Sequence, residues 1–224
     1  MKSNFGLFKR GFQRKPKPVS EQLHERKAES SKKAIIYTPW FKAFVRKNPG
    51  MIKDFLEAKR TINSGKNEAK AGKISVERLE RRGNSNFALY KAKVGRKVFF
   101  IKEQNAAKQG PNFDPRTDLA DAQIKALQKA REALKGVKLV EVANYHLAFR
   151  LGENSFLVTD FYDGENLTYS PFLNSNANAA ELIDKIGRIL HKSKIIDFGY
   201  YNIIWCPSKG KIIIFDLKDI SKIQ

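Results

Sequence analysis

Residues 195–205 read Ile195-Ile196-Asp197-Phe198-Gly199-Tyr200-Tyr201-Asn202-Ile203-Ile204-Trp205, and residues 211–216 read Lys211-Ile212-Ile213-Ile214-Phe215-Asp216. Each segment contains a run of apolar residues, and Ser208-Lys209-Gly210 between them is a turn signal. The stretch therefore predicts a β-hairpin with three polar side chains at its open end, opposite the turn: Asp197, Asn202 and Asp216.

Two carboxylates and an amide in this spacing suit phosphoryl transfer. In such a site one Asp orients the hydroxyl that accepts the phosphoryl group, while an Asn and a second Asp hold Mg²⁺ against the phosphates. An ordinary hairpin with surface carboxylates would produce the same stretch, because an Asp and an Asn five positions apart often occur by chance. Other segments of the chain have to decide between these two interpretations.

The preceding segments supply a lysine-bearing strand and two helices. Residues 98–103 are β-branched and aromatic and end in Lys102-Glu103, a pattern typical of a strand that delivers an ammonium to phosphate oxygens. Further strands are predicted over 74–79, 87–94, 147–150 and 156–161. Helices are predicted over 117–135, with Thr117 as the cap, and over 179–191. This order of elements predicts an α+β fold.

In this order and in five segments, the chain resembles the protein-kinase-like superfamily, and within it the small atypical members. These are the RIO-type kinases, the small kinase of the KEOPS tRNA-modification complex and the lipopolysaccharide-kinase group. The resemblance is carried by residues 99–103, 157–167, 190–191, 197–202 and 213–216. It implies a two-lobed domain over 74–224, with a truncated second lobe because only eight residues follow Asp216.

The resemblance also implies catalytic and metal-binding roles. Lys102 would hold the α and β phosphates of ATP, and Asp197 would be the catalytic base. Asn202 and Asp216 would be the Mg²⁺ ligands. The implied activity is that of a small atypical phosphotransferase or ATPase that uses Mg²⁺-ATP.

Nucleotide-binding residues follow from the same resemblance. The backbone of a four-residue segment would bind adenine: Thr159, Asp160, Phe161 and Tyr162. Gly83 and Ser85 would lie in the loop that covers the phosphates. On the 117–135 helix, Asp118, Asp121 and Glu132 are candidate partners of Lys102, and Asp121 is the best placed of the three.

A basic extension over residues 1–73 precedes the kinase-like domain. Residues 1–75 contain 19 Lys and Arg against 6 Asp and Glu, whereas the whole chain has a net charge of +20. The composition predicts a flexible arm over 1–33 and helices over 38–62, with Thr38 as the cap and Pro39 at the first helical position. These helices could pack on the first lobe while their charges remain solvated.

The arm concentrates positive charge in its first seventeen positions, and the residues are Lys2, Lys9, Arg10, Arg14, Lys15 and Lys17. Basic side chains displace counterions from phosphate backbones, and the Phe residues between them can stack on bases. The predicted partner is therefore RNA or a ribonucleoprotein, and substrate recognition could also come from a protein partner.

The single cysteine, Cys206, predicts a reducing, cytoplasmic location, and no apolar run approaches the ~20 residues of a membrane span. Three functional interpretations remain open. The first is an active small kinase or ATPase in an RNA context, and the second is a catalytically inactive pseudokinase that serves as a nucleic-acid- or ribosome-binding scaffold. The third is an unrelated basic RNA-binding α+β protein in which the Asp and Asn spacing is a coincidence.

Overall fold

The computed structural model describes residues 36–79, 87–105, 114–167, 170, 172 and 178–221 of the 224-residue chain. Contacts divide the chain into two units, Met1–Lys32 and Lys33–Gln224, and every described residue belongs to the second. The basic arm residues, Gly83 and Ser85 lie outside the described residues. The second unit includes the 38–62 segment.

The fold is α+β, as the sequence predicts, and the larger sheet has seven antiparallel strands in the described part of the chain. In spatial order they are β1 (Ile36–Tyr37), β7 (Tyr145–Leu151), β8 (Asn154–Asp160), β5 (Lys97–Asn105), β4 (Phe87–Val94), β3 (Ile74–Arg78) and β2 (Glu68–Ala71). Lys102 is central, opposite Leu89 of β4 and Leu157 of β8. Successive side chains of a strand point to opposite faces, so Lys102 and Glu103 face opposite sides of the sheet.

Two helices from the predicted extension pack on this sheet. The helix α1 (Pro39–Lys47) begins after Thr38, whose side-chain oxygen accepts a hydrogen bond from the Phe41 amide at 3.3 Å. The helix α2 (Met51–Asn63) begins after Gly50, whose φ of +85° lies in the left-handed region that glycine adopts without strain. Both helices share a core with the sheet, which includes Phe41, Phe55, Ile62, Tyr90, Phe99, Phe156 and Val158.

A buried ion pair joins α2 to the strand that carries Lys102. Lys59 of α2 pairs with the Glu103 carboxylate, whose second oxygen accepts a hydrogen bond from the Tyr90 hydroxyl at 3.0 Å. The Lys59 and Glu103 side chains are only 13% and 10% exposed. This lysine of the basic extension therefore neutralises a core carboxylate and is not a solvated charge.

We expect Lys59→Met to lower the free energy of unfolding by about 3 kcal/mol, because the substitution leaves the Glu103 carboxylate buried without its cation. The double variant Lys59→Met/Glu103→Gln is the control, since its neutral amide can still bond Tyr90. Urea denaturation should show the double variant to be more stable than the single one. Wild-type stability of Lys59→Met would contradict a structural role for the pair.

A smaller mixed sheet contains the hairpin of residues 203–214. In spatial order its strands are β6 (Val140–Val142), β12 (Lys211–Ile214), β11 (Ile203–Cys206) and β9 (Glu165–Asn166). The β6–β12 pair is parallel and the other two pairs are antiparallel. A separate antiparallel pair is formed by β10 (Ile195–Ile196) and β13 (Lys218–Asp219). As the sequence predicts, Asp216 follows the second strand of the hairpin.

The predicted 117–135 helix is divided into two. A short helix, α3 (Pro115–Asp118), begins after Asp114, and α4 (Ala120–Ala133) follows an extended residue, Leu119. The Asp114 side chain accepts a hydrogen bond from the Arg116 amide at 2.8 Å, and it is therefore the cap in place of the predicted Thr117. The Ala120 amide donates to the Ser155 hydroxyl of β8 at 2.9 Å, so tertiary structure supplies the cap of α4.

The helix α4 packs against both sheets. Its first half places Ile124 in a cluster with Leu157 of the larger sheet, and its second half places Leu127 in the core of the smaller one. The helix α5 (Ala179–Lys192) adds Ile186 and Leu190 to that second core. None of the helices in the described ranges is long and apolar enough to span a membrane.

Candidate active site

The structure brings together a lysine and an aspartate that are 114 positions apart in the sequence. Lys102 of β5 forms an ion pair with Asp216, which lies two residues after the end of β12. The Lys102 residue is only 5% exposed, and its ammonium also lies 4.5 Å from the centre of the Phe87 ring. A lysine this deeply buried needs a carboxylate or another anion beside it, and Asp216 supplies one.

Gln123 of α4 is a second partner of Asp216. Its amide nitrogen donates to Asp216 Oδ1 at 2.8 Å, and the residue is 1% exposed. Its amide oxygen is buried and has no hydrogen-bond partner among the described residues. The site therefore holds an unused buried acceptor close to the Lys102–Asp216 pair, and a buried amide oxygen without a partner is costly.

Two of the three acidic candidates on the predicted helix have other partners. Asp121 pairs with Arg150 at 2.7 Å, and Asp118 pairs with Lys218 at 2.7 Å. Asp121 is therefore not the partner of Lys102. The reason is the helix period of about 3.6 residues per turn, which points side chains two positions apart to opposite sides of α4. Gln123 faces Asp216, and Asp121 faces β7.

Asn202 holds the two aspartate loops together. Its side-chain amide nitrogen donates to the backbone carbonyls of Asp197 at 2.6 Å and of Asp216 at 3.0 Å. The backbone carbonyl of Asn202 accepts a hydrogen bond from the Phe215 amide at 3.1 Å. Because both protons of the side-chain amide are used on backbone, its oxygen Oδ1 is the end that can act as a ligand. Asn202 is 4% exposed, so this orientation is set by its surroundings.

Both aspartates of the site have left-handed backbone conformations. Asp197 has φ +67° and Asp216 has φ +55°. Asp and Asn adopt this region more readily than most residues with side chains, and strained conformations of this kind cluster at functional sites. The strain is maintained by the Asn202 hydrogen bonds to the two carbonyl groups.

Asp197 lies between a tyrosine and a lysine. The Tyr201 hydroxyl donates to Asp197 Oδ1 at 2.9 Å, and Lys218 Nζ lies 3.7 Å from Asp197 Oδ2. Burial opposes the charged form of Lys218, but its hydrogen bond to Asp118 and the nearby carboxylates outweigh burial and raise its pKa. Lys218 therefore stays protonated, and its positive charge lies beside the Asp197 carboxylate.

The 159–162 segment connects the larger sheet to β9. Its backbone amides at Asp160 and Phe161 donate to Asn144 O at 2.9 Å and to Val98 O at 3.3 Å. The side chain of Asp160 bonds His146 at 2.6 Å, and the Tyr162 hydroxyl accepts from the Asn144 amide at 2.9 Å. These two side chains fix the segment in place. Because the amides of Asp160 and Phe161 are already engaged, recognition of a base here would fall to backbone groups of Tyr162.

The pKa of the Asp160 carboxyl is set by its burial and its hydrogen-bond partners. Burial favours the neutral acid at Asp160, but hydrogen bonds from His146 and Asn144 outweigh it and lower the pKa of Asp160. The Thr159 hydroxyl donates to Asp160 O at 3.1 Å.

Gly164 lets the chain pass close to β11, because a Cβ at position 164 would lie 2.3 Å from Trp205 O.

The residues present fit a magnesium ion with a bound polyphosphate. No group of three or more His, Cys, Asp or Glu that could hold a metal occurs among the described residues. Mg²⁺ does not require one, because one or two protein oxygens hold it together with phosphates and water. Asn202 Oδ1 and the Asp216 carboxylate would supply those oxygens, and Lys102 would supply a cation for phosphate.

The structure adds three residues to the site that the sequence interpretation did not assign: Gln123, Tyr201 and Lys218. Gln123 could have been found as a polar residue on the apolar face of α4, next to Ile124 and Leu127. Tyr201 lies inside the Asp197–Asn202 segment. No local signal indicates Lys218, because its position beside Asp197 depends on the pairing of β10 with β13.

No protein-family model matches the sequence, and the search of curated proteins found no similar one. The chemistry of the site therefore has to be inferred from its own geometry.

Proposed function

We propose that residues 33–224 form a small, two-lobed, protein-kinase-like phosphotransferase or ATPase that uses Mg²⁺-ATP. The observation that carries the proposal is the contact between Lys102 and Asp216, with Asn202 bonded to the backbone of both Asp216 and Asp197. If the Asp and Asn spacing were a coincidence in an unrelated protein, there would be no reason to expect these four residues to lie together.

In the proposed reaction Lys102 holds phosphate oxygens, and Asp216 and Asn202 hold Mg²⁺. The metal, when bound, neutralises phosphate charge and polarises the phosphorus centre. Binding would require Lys102 to exchange Asp216 for phosphate, and the buried Lys102 charge would remain compensated after the exchange. The unpartnered oxygen of Gln123 offers the displaced ammonium a second acceptor.

Asp197 is the proposed base that orients the hydroxyl of the acceptor. Lys218 places a positive charge beside its carboxylate, and Asn202 fixes its backbone. The adenine would bind along the 159–162 segment, where the amides of Asp160 and Phe161 are already engaged, so the Tyr162 backbone is the proposed contact.

Calorimetry with ATP, in the presence and absence of Mg²⁺, tests nucleotide binding, and release of ADP tests turnover. We expect Mg²⁺-dependent binding in the micromolar to millimolar range. If wild-type protein binds no ATP at millimolar nucleotide, the inactive scaffold is the better interpretation. Binding without release of ADP or transfer of phosphate would indicate a nucleotide-binding pseudokinase.

The basic arm is the basis for a proposed RNA or ribonucleoprotein partner. Deleting residues 1–32 removes the six basic residues of the first seventeen positions and leaves the compact unit Lys33–Gln224. Each neutralised phosphate contributes a slope of about −0.7 to −0.9 in log K against log salt, so four contacts give a slope of about −3. We expect the deletion to weaken RNA binding and flatten this slope while ATP binding stays unchanged.

A full-length variant with the same six residues replaced by Gln is the matched control for the deletion, because it keeps the length and the aromatic residues of the arm. Filter binding at several salt concentrations should give it a flattened slope as well. Equal RNA affinity in the wild type and both variants would remove the arm from the proposed function.

A further inference from the structure

We propose that Tyr201 is an acceptor of the phosphoryl group in this site, so that the protein phosphorylates itself on this residue within one chain. This inference rests on the proposed function and assigns it an acceptor class, a phenolic hydroxyl. Its substrate is a nucleoside triphosphate bound at Lys102 and Asp216.

The hydroxyl of Tyr201 lies next to Asp197, the proposed base, where the hydroxyl of an acceptor would have to lie. It donates a hydrogen bond to Asp197 Oδ1 at 2.9 Å, within the 2.6–3.2 Å over which a general base can remove a proton. The backbone beside it is held as well, because Asn166 Nδ2 donates to Tyr201 O at 2.7 Å. The contact between hydroxyl and carboxylate is therefore made by an anchored residue.

Gly199 makes room for the Tyr201 ring. A Cβ at position 199 would lie 2.6 Å from Tyr201 Cε1, closer than carbon atoms can approach. Glycine lets the ring lie over the backbone between Asp197 and Tyr201, and from there the hydroxyl reaches the carboxylate. Tyr201 is also 58% exposed, so a phosphoryl group added to it has space in solvent.

The Tyr201 hydroxyl is the donor in its hydrogen bond to Asp197, so its proton points at the carboxylate. A neutral phenol is a weak nucleophile, so its proton has to leave as the new bond forms. Asp197 is the group in contact with that proton.

The step balances without any further reactant. A bond forms between Tyr201 Oη and the γ-phosphorus, the bond from that phosphorus to the bridging oxygen breaks, and ADP leaves with the electron pair. The phenolic proton moves to Asp197. The product adds a charge of about −1.5 to −2 beside Asp197 and Asp216. Because these like charges repel a second nucleotide phosphate, labelling should stop near one phosphate per chain.

The test incubates the full chain with γ-labelled ATP and Mg²⁺ and maps the label by mass spectrometry. We expect phosphate on Tyr201, with a rate constant that does not change with protein concentration. Tyr201→Phe should lose at least about 90% of the label. Tyr200→Phe is the matched control, since Tyr200 is the adjacent exposed tyrosine, and it should keep the label.

Gly199→Ala tests the geometry with Tyr201 still present, because the added methyl group displaces the ring. It should reduce labelling at least tenfold without changing ATP affinity. A readout that needs no nucleotide is the ultraviolet titration of the phenol, taken as the difference from the Tyr201→Phe protein. Asp197→Asn should shift that titration to lower pH, since it removes a negative charge next to the hydroxyl.

The outcomes separate this inference from the proposed function. ATP binding and release of ADP with no phosphate on Tyr201 would overturn the inference alone. A rate that rises in proportion to protein concentration would show transfer between chains and would also overturn it. Absence of ATP binding in the wild type would overturn the proposed function itself.

Discussion

Replacing Asp216 by alanine is expected to weaken Mg²⁺-dependent ATP binding by at least about 100-fold and to abolish turnover. The change would remove a proposed metal ligand and leave triphosphate charge uncompensated. Calorimetry with and without Mg²⁺ measures the affinity. Asp184→Ala is the matched control, because it removes an aspartate from an exposed ion pair with Arg188 on α5.

The same substitution should lower stability, because Lys102 is buried and would lose the carboxylate that neutralises it. The double variant Lys102→Met/Asp216→Asn separates folding from binding. We expect its melting temperature to be closer to that of the wild type than the melting temperature of Asp216→Ala, with ATP binding still absent. ATP affinity retained in Asp216→Ala would contradict the assignment of Asp216 as a metal ligand.

Replacing Asp197 by asparagine is expected to reduce turnover by about 10²–10⁴-fold while ATP affinity changes little. A group that takes a proton from the acceptor acts mainly in the transition state, so its loss lowers the rate more than the binding. Asparagine is the right probe because it tolerates the left-handed backbone at φ +67° and can still accept the Tyr201 hydrogen bond.

Turnover of Asp197→Asn is followed as ADP release and affinity by calorimetry on the same preparation. Asp197→Ala adds backbone strain at this position, so comparing the two variants separates loss of the base from loss of loop geometry. If Asp197→Asn lost ATP binding and turnover in equal proportion, Asp197 would be a binding residue instead of a base.

The local elements of this protein follow from its sequence because their determinants are local. Apolar runs and turn residues predict the β11–β12 hairpin, and Thr38-Pro39 predicts the start of α1. The strand that carries Lys102 is also predicted, although it extends further in both directions, as Lys97–Asn105. The α+β class then follows from the order of these elements.

The division of the predicted 117–135 helix is different, because its causes are partly distant. Asp114-Pro115 starts a helix earlier than Thr117 does, which the sequence alone could have indicated. The second start, at Ala120, depends on the Ser155 hydroxyl of β8, 35 positions along the chain. No property of residues 114–120 indicates that this acceptor will be present.

The sequence by itself determined the α+β class, the hairpin and the cap of α1. Only the tertiary structure decided which residues contact one another. Lys102 and Gln123 both contact Asp216, Lys59 pairs with Glu103, and Asp197 contacts Tyr201 and Lys218. The physical reason is that secondary structure depends on neighbouring residues, whereas charge pairing depends on which faces the two sheets and α4 turn toward each other. That arrangement is set by the packing of whole cores, and buried charges take the partners that the packing brings within reach.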